Sequence, residues 1–254
     1  MKLLIDPKGG IAGDMFTAAL ISAGADYSYM HAALTKAAGK LGAVNISLNK
    51  TDDRSNQLSI ELTPNDNHLE GKQARRILEE VFDELDIKEV YMDFGFQILS
   101  ILLEAEKKAH ADGRFGHLHH HGNPGETTYL HEAQDIIIDI TGAVCGLQNL
   151  NVSPYACLLS PISVGGGTVT FSHGELEVPA PATSIILKEH HIPWTAGPVQ
   201  QELCTPTGSS IIAALDGWLT DKSLREFEVI RTGQSRGGKI LAVPPLKIYL
   251  AKEV

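Results

Sequence analysis

Residues 131–142 read His-Glu-Ala-Gln-Asp-Ile-Ile-Ile-Asp-Ile-Thr-Gly and combine ionisable side chains with an apolar run. On a helix, the four-residue spacing of His131, Asp135 and Asp139 places all three on one face, about one turn apart. The isoleucines around the two aspartates predict that this face is buried. A buried carboxylate is costly without a cation, a metal ion or several hydrogen bonds. The segment therefore predicts a helix that binds a metal or carries catalysis.

A simpler interpretation of the same segment is an ordinary helix N-terminus, over a helix predicted from about Glu132 to Leu147. Acidic side chains interact favourably with the positive end of a helix, which accounts for Glu132 and Asp135. It accounts poorly for Asp139, which lies deeper among the isoleucines. The metal or catalytic interpretation is favoured for that reason, and the simpler one stays open.

A histidine cluster lies just upstream, in Gly116-His117-Leu118-His119-His120-His121-Gly122. Closely spaced imidazoles bind nickel, copper, zinc or cobalt at neutral pH. Residues 112–128 are rich in glycine and predict a mobile loop. Such a loop suits capture and transfer of a metal better than a rigid catalytic site, which needs packed residues behind its ligands. The alternative is a solvated loop without a defined role.

A glycine-rich loop follows a predicted strand at residues 2–6 and precedes a helix that begins near Asp14. Glycines 9, 10 and 13 in this loop would expose backbone N–H groups to an anion. The loop lacks the dinucleotide-binding and P-loop glycine patterns. Asp6 and Asp14 bracket it and offer the hard oxygen ligands that bind a phosphate-bridging magnesium ion. The alternative is that Asp14 only caps its helix and Asp6 only ends its strand.

Two further helix N-termini are predicted, after Ser172-His173-Gly174-Glu175 and after Glu202-Leu203-Cys204. His173 is a candidate metal ligand. The second helix is expected to begin at Pro206 with Thr205 as its N-cap, and its first amides suit a phosphate. Cys204 beside this helix end is expected to have a lowered pKa and to bind soft ligands. Plain caps and turns are the alternative in both places.

Composition narrows the class of protein. The chain has 254 residues and a formal net charge of −10, without a block of Lys or Arg, which argues against nucleic acid or an anionic membrane as a partner. No segment is long and apolar enough to span a membrane. The three cysteines form no C-x-x-C pair, so we expect a cytoplasmic protein. Mixed helical and strand patterns predict one α+β domain over residues 1–254, with helices packed on short mixed sheets.

In order along the chain, these segments resemble the LarC nickel-insertion proteins of lactate racemase cofactor maturation. The resemblance rests on Asp6 to Met15, Glu104-Ala105-Glu106, residues 131–142, Ser172 to Thr183 with its Pro-Ala-Pro-Ala-Thr element, and Glu202 to Gly208 with Thr-Pro-Thr-Gly.

The resemblance implies insertion of nickel into a thiolated pyridinium mononucleotide, the pyridinium bis-thiocarboxylate. The enzyme would be a nickel chelatase or cyclometallase of the lyase class that forms nickel–sulfur and nickel–carbon bonds, with CTP and a divalent ion, Mg or Mn. Carboxylates at Glu132, Asp135 and Asp139 are the candidates for the base. Phosphate would be bound by Gly9, Gly10, Gly13, Thr205, Thr207 and Gly208. Candidate metal ligands are His117, His119, His120, His121, His131, His173, Asp6 and Asp14.

The sequence also departs from that family. Members usually carry a C-terminal portion associated with CTP, whereas this sequence stops at Val254, so we expect either no use of CTP or a separate partner chain. Tyr129 stands where the family usually has a histidine, and the interval from Glu132 to Asp135 is shorter than usual. The alternative functions are a non-catalytic nickel metallochaperone or store, and a nucleotide-dependent metalloenzyme. We expect a homo-oligomer.

Overall fold

The computed structural model describes residues 1–65, 68–111, 129–131, 135–171 and 174–253. Helices and strands are mixed along these ranges, and the fold is α+β as the sequence predicts. The strands are β1 (Lys2–Asp6), β2 (Gly42–Lys50), β3 (Asn56–Pro64), β4 (His68–Glu70), β5 (Tyr129–His131), β6 (Ala156–Leu158), β7 (Ile162–Gly165), β8 (Thr168–Phe171), β9 (Gly174–Glu177), β10 (Trp194–Ala196), β11 (Trp218–Leu219), β12 (Phe227–Ser235) and β13 (Leu246–Glu253). The helices are α1 (Gly13–Ser22), α2 (Tyr27–Gly39), α3 (Gly71–Glu84), α4 (Glu89–Ala111), α5 (Ile136–Leu150), α6 (Pro181–Glu189) and α7 (Pro206–Ala214).

The main sheet is mixed, and β1 lies near its centre. Its strand order is β11-β6-β1-β13-β12-β3-β2, with β1 parallel to β6 and antiparallel to β13. Leu3, Leu4 and Ile5 are fully buried, as a strand covered on both faces requires. At the β2 edge of the sheet, β2 and β3 form an antiparallel hairpin, from Gly42 opposite Pro64 to Lys50 opposite Asn56.

Helix α5 runs through the interior of the helical layer. Helices α1, α2, α3 and α4 all contact it, and nearly all of its residues are buried. Gly142 permits a close contact with α1, because a Cβ at this position would lie 2.3 Å from Thr17 Oγ1. This close approach brings the N-termini of α1 and α5 together and so positions the acidic residues described below.

The start of α5 differs from the sequence prediction. The helix begins at Ile136 with Asp135 as its N-cap, not near Glu132. His131 belongs to β5, where it lies opposite His68 of β4. The prediction of three stacked residues on one helix is therefore wrong for His131, because strand pairing with a distant segment overrides the helical spacing. Asp135 and Asp139 keep their predicted one-turn relation, and Glu132 lies outside the described residues.

In the C-terminal part of the chain, the helices agree with the sequence prediction, and the structure has more strands than were predicted. Helix α7 begins at Pro206, and the hydroxyl of Thr205 accepts a hydrogen bond from Gly208 N at 3.1 Å, so the predicted N-cap is confirmed. Strands β7, β9, β10 and β11 were not predicted; β7 pairs with the short β10 and ends at Gly165. Within the described ranges, no helix has the length and apolar character needed to cross a bilayer.

Candidate functional site

A cleft opens beside the N-terminus of α1. It encloses about 680 Å³ of empty space, part of which is open solvent. Four segments line it: the glycine-rich loop at Gly9, the start of α1 at Asp14, residues 202–205, and the loop 236–244 between β12 and β13.

Backbone hydrogen bonds fix the 202–205 segment between the glycine-rich loop and β7. Ile11 N donates to Leu203 O at 2.8 Å, and Thr205 N donates to Ile11 O at 3.1 Å. On the other side, Leu203 N donates to Val164 O at 3.0 Å. The wall of the cleft that carries Glu202 is therefore held on both sides by main-chain contacts, as in a short strand.

The glycine-rich loop packs tightly against the segment of residues 202–205. Gly10 has a φ of +86°, and a Cβ there would lie 2.0 Å from Leu203 O. Its N–H donates to Pro7 O at 2.9 Å, so that amide is engaged within the loop. The amide of Gly208 is likewise engaged by Thr205. Gly9 and Thr205 line the cleft, whereas Thr207 lies in the first turn of α7.

Arg236 lies at the start of the loop 236–244, the fourth segment that lines the cleft. Its Nε donates to Asp53 Oδ2 at 2.8 Å, and its Nη1 donates to Val243 O at 2.7 Å. The guanidinium holds the pKa of Asp53 well below its usual range. Because the charge of Arg236 is already paired with Asp53, the exposed Lys239 is the cation of this loop that acts on the cleft. Its positive charge opposes the rise in the pKa of Glu202 that burial causes.

Glu202 is the most unusual side chain in the cleft wall. Its Oε1 is buried and accepts no hydrogen bond from the described residues. Burial raises the pKa of this carboxyl to about 7, although the positive charge of Lys239 acts in the opposite direction. A carboxylate of this kind changes its protonation near neutral pH, as catalytic acids and bases do.

Asp14 joins the cleft to an acidic cluster behind it. The N-cap of α1 is Ala12, so the alternative that Asp14 only caps its helix is wrong. Asp14 lies in the first turn, where its Oδ1 accepts a hydrogen bond from the adjacent Met15 N at 2.8 Å. Burial raises the pKa of Asp14 to about 6, and the negative charge of Asp135 adds to the rise.

Asp139 lies in the first turn of α5 and is 8% exposed. A Cβ on Gly13 would lie 2.2 Å from Asp139 Oδ2, so α1 begins directly against this carboxylate. Burial, followed by repulsion from Asp135 and Asp14, raises the pKa of Asp139 well above its usual value. Burial raises the pKa of Asp135 too, although much of this residue is exposed to solvent.

The remaining predicted ligands are not brought to this cluster by the described chain. Asp6 accepts a hydrogen bond from Ser160 Oγ at 2.7 Å and lies 3.6 Å from Lys8 Nζ, so it has partners separate from those of Asp14. Outside the described residues lie His117, His119, His120, His121, His173 and Glu132. Across the ranges that are described, no three His, Cys, Asp or Glu side chains are placed so that they could hold a metal ion together.

Cys204 corrects a sequence expectation. Its thiol is completely buried, and burial together with the nearby charge of Glu202 raises its pKa. The expected lowering by the N-terminus of α7 is therefore wrong, because desolvation of the thiolate exceeds the effect of the helix end. Cys145 and Cys157 are buried as well.

Sequence reasoning did not single out several groups of this region. Glu202 appeared only within a family segment, while Arg236 and Lys239 were not considered. The signal for the latter two was Arg236-Gly237-Gly238-Lys239, two cations around a glycine pair. Glu106 on α4 is a further desolvated acid, whose pKa burial raises to about 7.

A pH dependence of stability follows for Asp14. Because its folded-state pKa lies above the unfolded value, the ionised folded protein carries a cost that appears as pH rises from about 4 to about 6. Asp14→Asn retains an oxygen that can accept the hydrogen bond from Met15 N. We expect this variant to match the wild type in stability at pH 4 and to be about 1 kcal/mol more stable at pH 7. Urea denaturation at both pH values measures this difference, and equal differences at pH 4 and pH 7 would exclude the stated cause.

Comparison with known proteins gives a consistent result. A protein-family model described as nickel insertion protein matches residues 3–253. A putative nickel insertion protein of Methanothrix thermoacetophila is 33% identical over 99% of this chain and 59% of its own length. The pyridinium-3,5-bisthiocarboxylic acid mononucleotide nickel insertion protein of Clostridium kluyveri is 31% identical over 100% of this chain and 63% of its own.

The protein of the same name from Staphylococcus saprophyticus is 32% identical over 84% of this chain and 50% of its own length. The chain thus spans between half and two thirds of the length of these curated relatives. No solved structure matches it.

Proposed function

The chain belongs to the nickel insertion protein family, and from this premise we propose that it inserts nickel into a pyridinium bis-thiocarboxylate mononucleotide. Two relatives carry that substrate in their names. The observation on which the proposal depends most is the position of Asp14, which borders both the cleft and the acidic cluster with Asp135 and Asp139.

The cluster supports the metal half of this proposal. After burial, the charges of Asp135 and Asp14 raise the pKa of Asp139, and a doubly positive ion between these carboxylates would relieve that repulsion. Carboxylate oxygens accept divalent first-row ions, although less tightly than imidazoles do. Nickel in transfer needs open coordination positions for the two sulfurs of the substrate. The described carboxylates do not complete a metal site by themselves, so we propose that the two sulfurs of the substrate supply the remaining ligands.

The cleft supports the organic half. Both apolar and polar side chains line it, and Lys239 offers a charge to a phosphate or thiocarboxylate. Met15 of α1 also lines the cleft, and its apolar side chain suits the face of an aromatic ring. In this arrangement the precursor lies against α1, and the nickel reaches it from the acidic cluster behind Asp14.

The finer expectations remain part of the proposal. The oxygens of Asp14, Asp135 and Asp139 fit Mg or Mn as well as nickel. A triphosphate fits the described cleft poorly, because Arg236 is already paired with Asp53 and one lysine is left to meet it. We therefore assign CTP to a separate partner chain and derive no step from it. We further propose lyase-type chemistry, the cytoplasm as compartment, and a homo-oligomer.

The test is incubation of the chain with the thiolated precursor and nickel, with and without Mg–CTP and a partner chain, followed by mass spectrometry. We expect a product that carries the nickel isotope pattern and has lost the ring proton. No such product under any combination, with both substrates intact and bound, would contradict the proposal.

Deletion of residues 116–122 separates insertion from nickel storage, the second candidate, which the histidine cluster favours. An inserting enzyme should slow at limiting nickel and regain its rate when free nickel is plentiful. A metallochaperone or store should lose nearly all nickel binding and function at every concentration. Equilibrium dialysis with nickel beside the mass-shift assay distinguishes the two results.

A further inference from the structure

The carboxylate of Glu202 is placed in the cleft without a partner of its own. Its backbone is fixed through a bridge to Gly165 and through the bond from Leu203 N to Val164 O at 3.0 Å. The close contact with β7 leaves no room for a side chain on Gly165, whose Cβ would lie 1.8 Å from Gln201 O. The side chain lines the cleft, and its Oε1 is buried and unpaired among the described residues.

The charged and titratable groups around Glu202 come from each segment of the cleft. Asp14 faces the cleft from α1, and Lys239 and Arg236 face it from the loop after β12. Arg236 is paired with Asp53, and the thiol of the neighbouring Cys204 is neutral because burial raises its pKa. Lys239 is thus the charge that keeps Glu202 partly ionised against the effect of burial.

We propose that Glu202 is the catalytic base that removes the ring proton of the precursor when nickel is inserted, an assignment that rests on the proposed function. The ring C–H bond breaks, its electron pair becomes the nickel–carbon bond, and the proton passes to the carboxylate. Nickel stays divalent throughout, and the two thiocarboxylate sulfurs supply the neighbouring bonds. The step needs no oxidant or reductant.

Glu202 suits this role better than Asp135 and Asp139, which the sequence suggested together with Glu132, a residue outside the described ranges. A base must remain free while the metal is bound, and the acids between α1 and α5 are the groups that a cation would neutralise. Asp139 is also shielded, because α1 begins directly against its carboxylate at Gly13. Glu202 lies on a different wall from α1, lines the cleft, and has an oxygen with no hydrogen bond to give up.

The test compares Glu202→Gln with the wild type in the nickel-insertion assay, with Glu228→Gln on the exposed part of β12 as the matched control. We expect the insertion rate of Glu202→Gln to fall at least about 100-fold, the usual contribution of a positioned base. Binding of the precursor and of nickel, measured separately by calorimetry, should stay within a few-fold. Folding should be intact, because the buried oxygen has no partner to lose.

The pH profile provides a second readout that a structural role would not change. The wild-type rate should rise with pH and level off above about 7, where Glu202 is ionised, while the residual rate of Glu202→Gln should not follow this rise. Lys239→Met should move the wild-type midpoint to higher pH, because the opposing charge is gone.

Two failures are distinguishable. A wild type that inserts nickel together with an equally active Glu202→Gln, or a variant that loses binding and not rate, overturns the base assignment alone. A wild type that never inserts nickel with any partner or nucleotide overturns the proposed function, and the base with it.

Discussion

Asp139→Asn is expected to stabilise the free protein and to abolish nickel insertion. The buried carboxylate of Asp139 has a pKa raised by burial and by the charges of Asp135 and Asp14, so its ionised form is a cost in the folded state. Removing this charge should raise the free energy of unfolding by about 2–3 kcal/mol at neutral pH. The same change removes an oxygen ligand from the proposed nickel position, and the insertion rate should fall by about 100-fold or more.

The direction of the pKa shift at Asp139 determines how the stability gain of Asp139→Asn changes with pH. A carboxyl whose folded pKa is raised weakens the protein as pH rises above its unfolded pKa. The advantage of Asp139→Asn should therefore be small near pH 4 and grow towards neutral pH. Saturating nickel should stabilise the wild type, by about 2.7 kcal/mol at a hundred times the Kd, and leave the variant unchanged.

Asp26→Asn is the matched control for this substitution. Asp26 is the exposed N-cap of α2, where its carboxylate accepts a hydrogen bond from Tyr29 N at 2.7 Å. Asparagine caps helices about as well as aspartate, so we expect a change within about 0.5 kcal/mol and full activity. Chemical denaturation measures both variants. If Asp139→Asn were less stable than the wild type, its carboxylate would have to be held by favourable contacts.

Gly10→Ala is expected to have the largest effect on folding among the residues of the glycine-rich loop. A Cβ there would lie 2.0 Å from Leu203 O, a backbone atom that cannot rotate away, and the φ of +86° disfavours any L side chain. We expect a loss of about 3 kcal/mol, from overpacking and left-handed strain together. Because the contact fixes the wall that carries Glu202, activity should fall as well.

Gly39→Ala provides the comparison for this change. Gly39 is the last residue of α2, and a Cβ there would meet no atom within 4 Å. Alanine in a helix is favourable relative to glycine, so we expect a gain of up to about 1 kcal/mol. Urea denaturation curves for both variants decide the matter. A Gly10→Ala protein as stable as the wild type would show that the loop can move away from Leu203.

The parts of the fold that depend on local signals were predictable from the sequence. The apolar run at Leu3 to Ile5 predicts a strand covered on both faces, and the alternating residues of β2 and β3 predict their hairpin. Thr205 before Pro206 predicts the start of α7, because both residues favour a helix N-terminus for their own chemical reasons. The same holds for Asp135 and Asp139, whose one-turn spacing is a property of α5 alone.

The parts of the fold and site that depend on contacts between distant segments were not predictable from the sequence. His131 shares a helical spacing with Asp135, yet pairing with His68 places it in a strand. The cleft arises only when residues 202–205 and the loop after β12 meet α1, so nothing near Glu202 in the sequence indicates an unpaired carboxylate. Cys204 shows the same limit, because its pKa is decided by how deeply it is buried and not by the helix that follows it.

The central claim is that nickel enters between the N-termini of α1 and α5, beside the cleft. The most direct measurement is an anomalous difference map at the nickel absorption edge, from crystals soaked in nickel and the precursor. The account predicts a peak about 2.1 Å from a carboxylate oxygen of Asp14 or Asp139, the usual oxygen distance for small divalent ions. Nickel bound only elsewhere, with Asp139 held instead by amides of the protein, would contradict it.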